Sequence, residues 1–382
     1  MDWLIVLWSL ILLPLLTAGV HSFRFTILHN NDMHARYDPI SSSCGKCPKG
    51  DDEKGLCFGG FARVATVVTQ ARSEGSMLYL NAGDTFHGTN WYRLYKGDLA
   101  ADLLNILNPD AVSLGNHEFD DSFEGFLPFL KKVRFPIVCC NLDLRMTPEL
   151  HNLGNLVRST IITKLDKNIG IIGYLTPSTK YYVPYNSIEY FQEIPSINLE
   201  AKRLRNKGIN IIIALGHSGY EVDKKVALHC PDVDVVIGGH SHTFLYTGTP
   251  PEIEKPEGKY PTVVTRRNGQ QVPVLQAYAF TKYMGKIDLV FDDNGNLVNF
   301  SGSPILLDYS IQQQADIMSL LAAKRQRVDY LDSKDAKKKT SFLKMMFSES
   351  ALQKSTGYAA SIVNILALFL SLEYISIKEN GK

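Results

Sequence analysis

The sequence predicts an α/β fold with antiparallel additions. Apolar, β-branched runs recur at 25–28, 78–80, 111–114, 137–140, 169–175, 209–215 and 233–237. They alternate with helical periodicity at 61–73, 99–107, 123–133, 197–207 and 221–228. Continuous apolar strands between helices belong to sheets covered on both faces. Later runs at 272–278 and 287–300, the second split by Asp-Asp-Asn-Gly-Asn, carry the signature of hairpins instead.

In chain order, the first feature is an uncharged apolar stretch at 3–16, too short for a comfortable membrane span. It is followed by Val-His-Ser at 20–22, small residues at a spacing suited to signal peptidase. Residues 1–22 are therefore expected to be a signal peptide and Phe23 the first mature residue; an uncleaved anchor is the alternative, since Asp2 stands where a basic residue is usual. Six cysteines fit an oxidising compartment. Cys44, Cys47 and Cys57 share a loop rich in Gly, Lys and Asp, where a short disulfide closing on Cys57 is expected; with no fourth Cys or nearby His, a zinc knuckle is disfavoured. Cys139, Cys140 and Cys230 lie in or beside apolar runs and are expected to be buried. Asn299-Phe300-Ser301 is a sequon that would accept a glycan on a secreted chain.

With 382 residues, 45% of them apolar, the chain can bury one large core or two ordinary ones. Forty basic residues against 39 acidic ones give a net charge of +1, so no long-range field recruits nucleic acid or an anionic membrane. An anionic substrate must be held locally.

The strand ends carry the chemistry. The runs lead into His-Asn-Asn-Asp-Met-His, Asn-Ala-Gly-Asp-Thr-Phe-His-Gly, Gly-Asn-His-Glu-Phe-Asp, Gly-His-Ser-Gly and Gly-Gly-His-Ser-His. Ligand sites of α/β sheets collect at the carboxyl ends of strands, so these five loops should converge on one crevice. Taken singly, each residue has a bland reading: Asp84 as a helix cap, Asn116 as a turn residue, a lone His as packing or surface. Taken together, Asp32, His34, Asp84, Asn116, His217, His240 and His242 are too many donors for one tetrahedral zinc. They suit two divalent ions sharing a carboxylate, which could neutralise a phosphate and activate the attacking water.

In this order, D-x-H, G-D, G-N-H-E, G-H and G-H-x-H resemble the calcineurin-like metallophosphoesterases. The longer stretches around them, with 261–265 and 272–285, are similar to the extracellular 5'-nucleotidase family, which includes secreted salivary apyrases; the resemblance spans about 23–308. It implies a four-layer α/β/β/α catalytic domain at 23–310 and two divalent ions, zinc being expected. It implies Asp32 and His34 on the first metal, joined by His242, with Asn116, His217 and His240 on the second and Asp84 bridging them. His117 would stabilise the phosphoryl group in the transition state and Asp120 would orient it; Glu118 is read as structural. The implied substrate is a nucleotide, cleaved as a 5'-monophosphate or, as by apyrases, as ATP and ADP, outside the cell.

A linker helix is expected at 311–333, beyond which the chain departs from the family. Its tail, 334–382, replaces the expected base-gripping second domain, and no base-binding residues are assigned. A truncated metal-binding product with little turnover is thus the alternative function. Within the tail, the uncharged stretch at 355–372 is read as an aberrant C-terminus, with a weak membrane segment as second reading. The oligomeric state is left open.

Overall fold

The computed structural model describes residues 22–184 and 186–346. The segment read as a signal peptide, up to residue 21, and the uncharged stretch at 355–372 lie outside the described residues. The first sheet contains β1 (Phe23–Asn30), β2 (Met77–Asn81), β3 (Ala111–Ser113), β4 (Ile137–Val138) and β5 (Leu156–Val157), all parallel. The second is built on β6 (Ser159–Lys164), β7 (Lys167–Leu175), β8 (Ile211–His217), β9 (Val235–Ile237), β10 (Thr262–Thr265) and β11 (Gln271–Leu275), in the order β10-β11-β9-β8-β7-β6. Its four central strands are parallel and its two edges antiparallel. The chain then returns to the first sheet. There β12 (Tyr283–Phe291) lies antiparallel to β1, and β13 (Leu297–Gly302) closes the expected hairpin across Asp-Asp-Asn-Gly-Asn.

Residue alternation sets the layers. Ile27, Leu78 and Leu80 meet Ile169, Ile171, Ile211, Ile213 and Leu215 in a core between the two sheets. Their neighbours Leu28 and Tyr79 face outward under α1 (Phe61–Glu74), α2 (Asn90–Leu107) and α3 (Ser122–Lys132). On the opposite side Ile172, Tyr174, Ile212 and Ala214 pack under α4 (Glu193–Arg205) and α5 (Tyr220–His229). The result is the α/β/β/α sandwich, and each strand buries both faces because each face meets a different layer.

Helix α6 (Ala315–Met346) continues well past the expected end of the linker at residue 333 and packs Ile317, Leu321 and Val328 into the first helical layer. Its Arg325 pairs with Asp38, which also accepts the Trp91 indole N–H at 2.8 Å. Among the described residues no helix is long and apolar enough to cross a membrane. Cys47 and Cys57 form a disulfide, Cys44 stays free, and Cys139, Cys140 and Cys230 are buried.

Candidate metal centre

Donors gather where the carboxyl ends of both sheets face one another. Beyond β1 and β2 the loops stay zipped: the Asp32 N–H donates to Gly83 O, His34 to Asp84 O and Ala35 to Thr85 O, each at 2.9 Å. His217 closes β8, while His240 and His242 follow β9. Five of the seven predicted donors, Asp32, His34, Asp84, His240 and His242, hold positive φ between 48° and 78°. Left-handed backbone is costly for non-glycine residues and persists where the surroundings over-determine it, as at functional sites.

Two clusters result. Asp32, His34 and His242 converge: His242 Nε2 lies 3.2 Å from Asp32 Oδ1 and 3.1 Å from His34 Nε2. Asp84, His217 and His240 form the second, with His217 Nε2 2.9 Å from Asp84 Oδ2. Asp84 belongs to both neighbourhoods, its Oδ2 also standing 3.8 Å from His34 Nε2. His217 donates from Nδ1 to Ala82 O at 2.7 Å, which leaves the Nε2 lone pair aimed at the cluster.

The glycines of the motifs are dictated by this crowding. A Cβ on Gly115 would come within 2.1 Å of Asp84 Oδ1, and one on Gly239 would press on His217 and Asp32. Asn116 opens a short turn, and its buried Oδ1 has no hydrogen-bond partner. Asp32 and Asp84 are fully buried, yet no Lys or Arg pairs with either among the described residues. Buried carboxylates need a compensating cation. Burial alone would lower the His217 pKa, but the Asp84 and Asp32 carboxylates push it up to about 10. His34, where burial dominates, falls to about 4. An orphaned donor oxygen on Asn116 and buried carboxylates faced only by imidazoles suit a site for divalent cations, and release of the His217 proton would accompany their binding.

Beside the centre, His117 Nδ1 lies 2.7 Å from Asp120 Oδ2, and its backbone N–H donates to Asp84 Oδ1 at 2.9 Å. The hydrogen bond to Asp120 raises the His117 pKa to about 9 against the opposing effect of burial. The His117 ring meets His34 edge-on, with centroids 5.2 Å apart, so it stands at the rim of the first cluster. His87, which its sequence context alone does not single out, reaches the same Asp120 oxygen, Nδ1 to Oδ2 3.0 Å. Its position three residues beyond Asp84, in Gly-Asp-Thr-Phe-His-Gly, was the available signal.

Two stacked sheets with an Asp, Asn and His cluster at their joined edges define a metallophosphoesterase, and the chain belongs to the calcineurin-like phosphoesterase family, which residues 25–244 match. Within that family it is similar to 5'-nucleotidases. It is 47% identical over 324 residues to Protein 5NUC of Lutzomyia longipalpis, covering 83% of this chain and 57% of that protein. It is 43% identical over 331 residues to the 5'-nucleotidase of Mus musculus, covering 86% and 56%. The crystal structure of a 5'-nucleotidase precursor from Thermus thermophilus superposes with a TM-score of 0.75 at 31% identity, covering 81% of this chain and 60% of that one. The chain thus spans little more than half the length of the curated relatives it matches.

Proposed function

We propose that the chain is a metal-dependent phosphoric monoester hydrolase that releases phosphate from nucleoside 5'-monophosphates. The observation that carries this reading is the buried Asp84 carboxylate shared between two His-containing donor clusters. Asp32, His34 and His242 would hold one divalent ion, Asn116, His217 and His240 the other, and Asp84 both. Nitrogen and oxygen donors without a thiolate suit zinc, the expected metal. When bound, the ions supply charge neutralisation and an activated water. The protein supplies the rest. With its Nδ1–H donated to Asp120, which favours the protonated ring, His117 presents its Nε2–H outward as a donor to phosphoryl oxygens, and Asp120 fixes the ring plane. The Cys47–Cys57 disulfide supports an oxidising, extracellular setting, in keeping with an exported chain.

The test is phosphate release by the purified chain from AMP and ATP side by side, before and after chelation and zinc replacement. AMP should be hydrolysed, the activity should vanish with the metal and return with it, and about two ions per chain should be found. A rate indifferent to chelation, or only a trace of metal after mild purification, sinks the reading. ATP hydrolysed in preference to AMP would make the chain an apyrase.

His117→Ala should leave the metal content unchanged and cost roughly 10²-fold or more in turnover, the usual effect of losing one transition-state donor. Metal analysis beside rate measurement checks this. Loss of an ion in that variant would make His117 a ligand instead.

A further inference from the structure

His87 has no role in the mechanism above, yet its placement is specific. Its backbone holds φ at 64°, a conformation an L-residue adopts at a cost. Its ring stacks on His117 with centroids 5.2 Å apart and planes 16° from parallel. Both imidazoles direct Nδ1 at one atom, Asp120 Oδ2, at 3.0 and 2.7 Å. Two histidines and one carboxylate oxygen, all within 4.8 Å of one another, make a three-donor set. In tetrahedral zinc with bonds of about 2.0–2.1 Å, neighbouring ligand atoms stand about 3.3 Å apart, so widening both contacts to that spacing would make room for an ion.

The surroundings favour a cation. Asp120 has no Lys or Arg partner among the described residues, because the nearby Lys96 is taken by Asp121 at 2.9 Å. The His87 side chain is 57% exposed and lines a cavity of about 760 Å³ together with Asp120 and Asp121, so an ion has a path and room for water in the remaining coordination position. His87 and Asp120 belong to neither cluster around Asp32 and Asp84, whereas His117 also stands within donor distance of His34 and Asp84, so the two sites adjoin.

We propose that His87, His117 and Asp120 form a third divalent-cation site, adjoining the metal centre, and that zinc filling it switches the enzyme off. The consequence for catalysis rests on the roles given above to His117 and Asp120. An ion on His117 Nδ1 displaces the proton that this nitrogen shares with Asp120 to solvent and ties the ring to a new partner, which replaces the hydrogen bond that holds the ring plane and moves Nε2 away from the phosphoryl group. Three ligands and partial exposure make this site weaker than the buried centre, which should fill first.

The experiment compares the full chain with His87→Asn, a residue that tolerates positive φ. Bound zinc is counted by equilibrium dialysis against rising free zinc, and adenosine formation from AMP is followed over the same range. The parent chain should take up two ions tightly and a third more weakly, and turnover should fall about tenfold when free zinc reaches about ten times the third dissociation constant. In His87→Asn the third ion should disappear, and turnover should change less than about twofold over that range relative to the same variant at low zinc. A third ion and equal inhibition in the variant overturn the proposal, as does a parent chain that saturates at two ions without inhibition. If the parent binds a single ion that the His87 substitution removes, this site stands and the two-metal reading falls.

Discussion

Asp84→Ala is expected to abolish phosphate release, with a loss of roughly 10³-fold or more, since several kcal/mol of charge stabilisation is at stake and each 1.36 kcal/mol is tenfold. The reason is geometric. Asp84 Oδ2 faces His217 Nε2 at 2.9 Å on one side and His34 Nε2 at 3.8 Å on the other, so one carboxylate serves both donor clusters. Two dications held close repel strongly, and the anion between them offsets that repulsion. Its Oδ1 also accepts the His117 N–H at 2.9 Å, so the alanine variant loosens the turn that carries His117 as well. Asp84→Asn separates the two effects, because its carbonyl can keep that hydrogen bond while the charge is gone. Both variants should lose at least one ion by elemental analysis. An Asn variant that holds two ions and turns over AMP at the parental rate would show that the bridge lies elsewhere.

How much of this was legible in the sequence depends on which residues advertise their role locally. Strands such as Lys167–Leu175 and Ile211–His217 are apolar on both faces, because one face meets the facing sheet and the other a helix, and unbroken apolar runs announce themselves. The donors were legible for a related reason: a buried strand that ends abruptly in Asp, Asn and His has no structural need for them. What stayed hidden depends on pairing. The hairpin between Ser159–Lys164 and Lys167–Leu175 turns through Leu165 and Asp166, both at positive φ, without the Asn-Gly or Asp-Gly that usually marks such a turn. Helix α2 starts at Asn90 rather than near 99, since Lys96, at φ 49°, interrupts the helical pattern and isolates its first half. The choice of Cys47 over Cys44 as partner of Cys57 is set by how the loop packs, as Cys44 turns toward the Tyr278 hydroxyl. His87 escaped because a single His in a loop carries no periodic signal, and only the fold sets it against Asp120.

Loss of Glu118 should cost the fold heavily in stability. It follows His117, the proposed donor to phosphoryl oxygens, which invites a chemical role, but the structure engages both of its oxygens elsewhere. Oε1 accepts the N–H groups of Thr85 and Phe86 at 2.8 and 3.2 Å, and Oε2 those of Asp84 and Gly115 at 3.1 and 2.6 Å. Four backbone donors from two metal-centre loops thus end on one buried carboxylate, which uses the roughly four lone-pair sites it has. Glu118→Ala leaves all four N–H groups buried and unpaired, at about 1–3 kcal/mol each, against a total stability of about 5–15 kcal/mol for a typical domain. Removing the charge also relieves its repulsion with Asp84. That gain is offset in part, because the protonated His217 already lies against the Asp84 carboxylate. The melting temperature should therefore fall by on the order of 10 °C or more. Glu118→Gln should not rescue it fully, since the amide offers one oxygen and turns an NH₂ group toward two N–H donors. In both variants zinc affinity should weaken along with stability, because the Asp84 loop loses the anchor that aims its carboxylate. Thermal unfolding followed with metal titration decides the matter. A Glu118→Ala protein that melts with the parent, binds two ions and has lost only its turnover would place Glu118 in the chemistry and overturn its structural assignment.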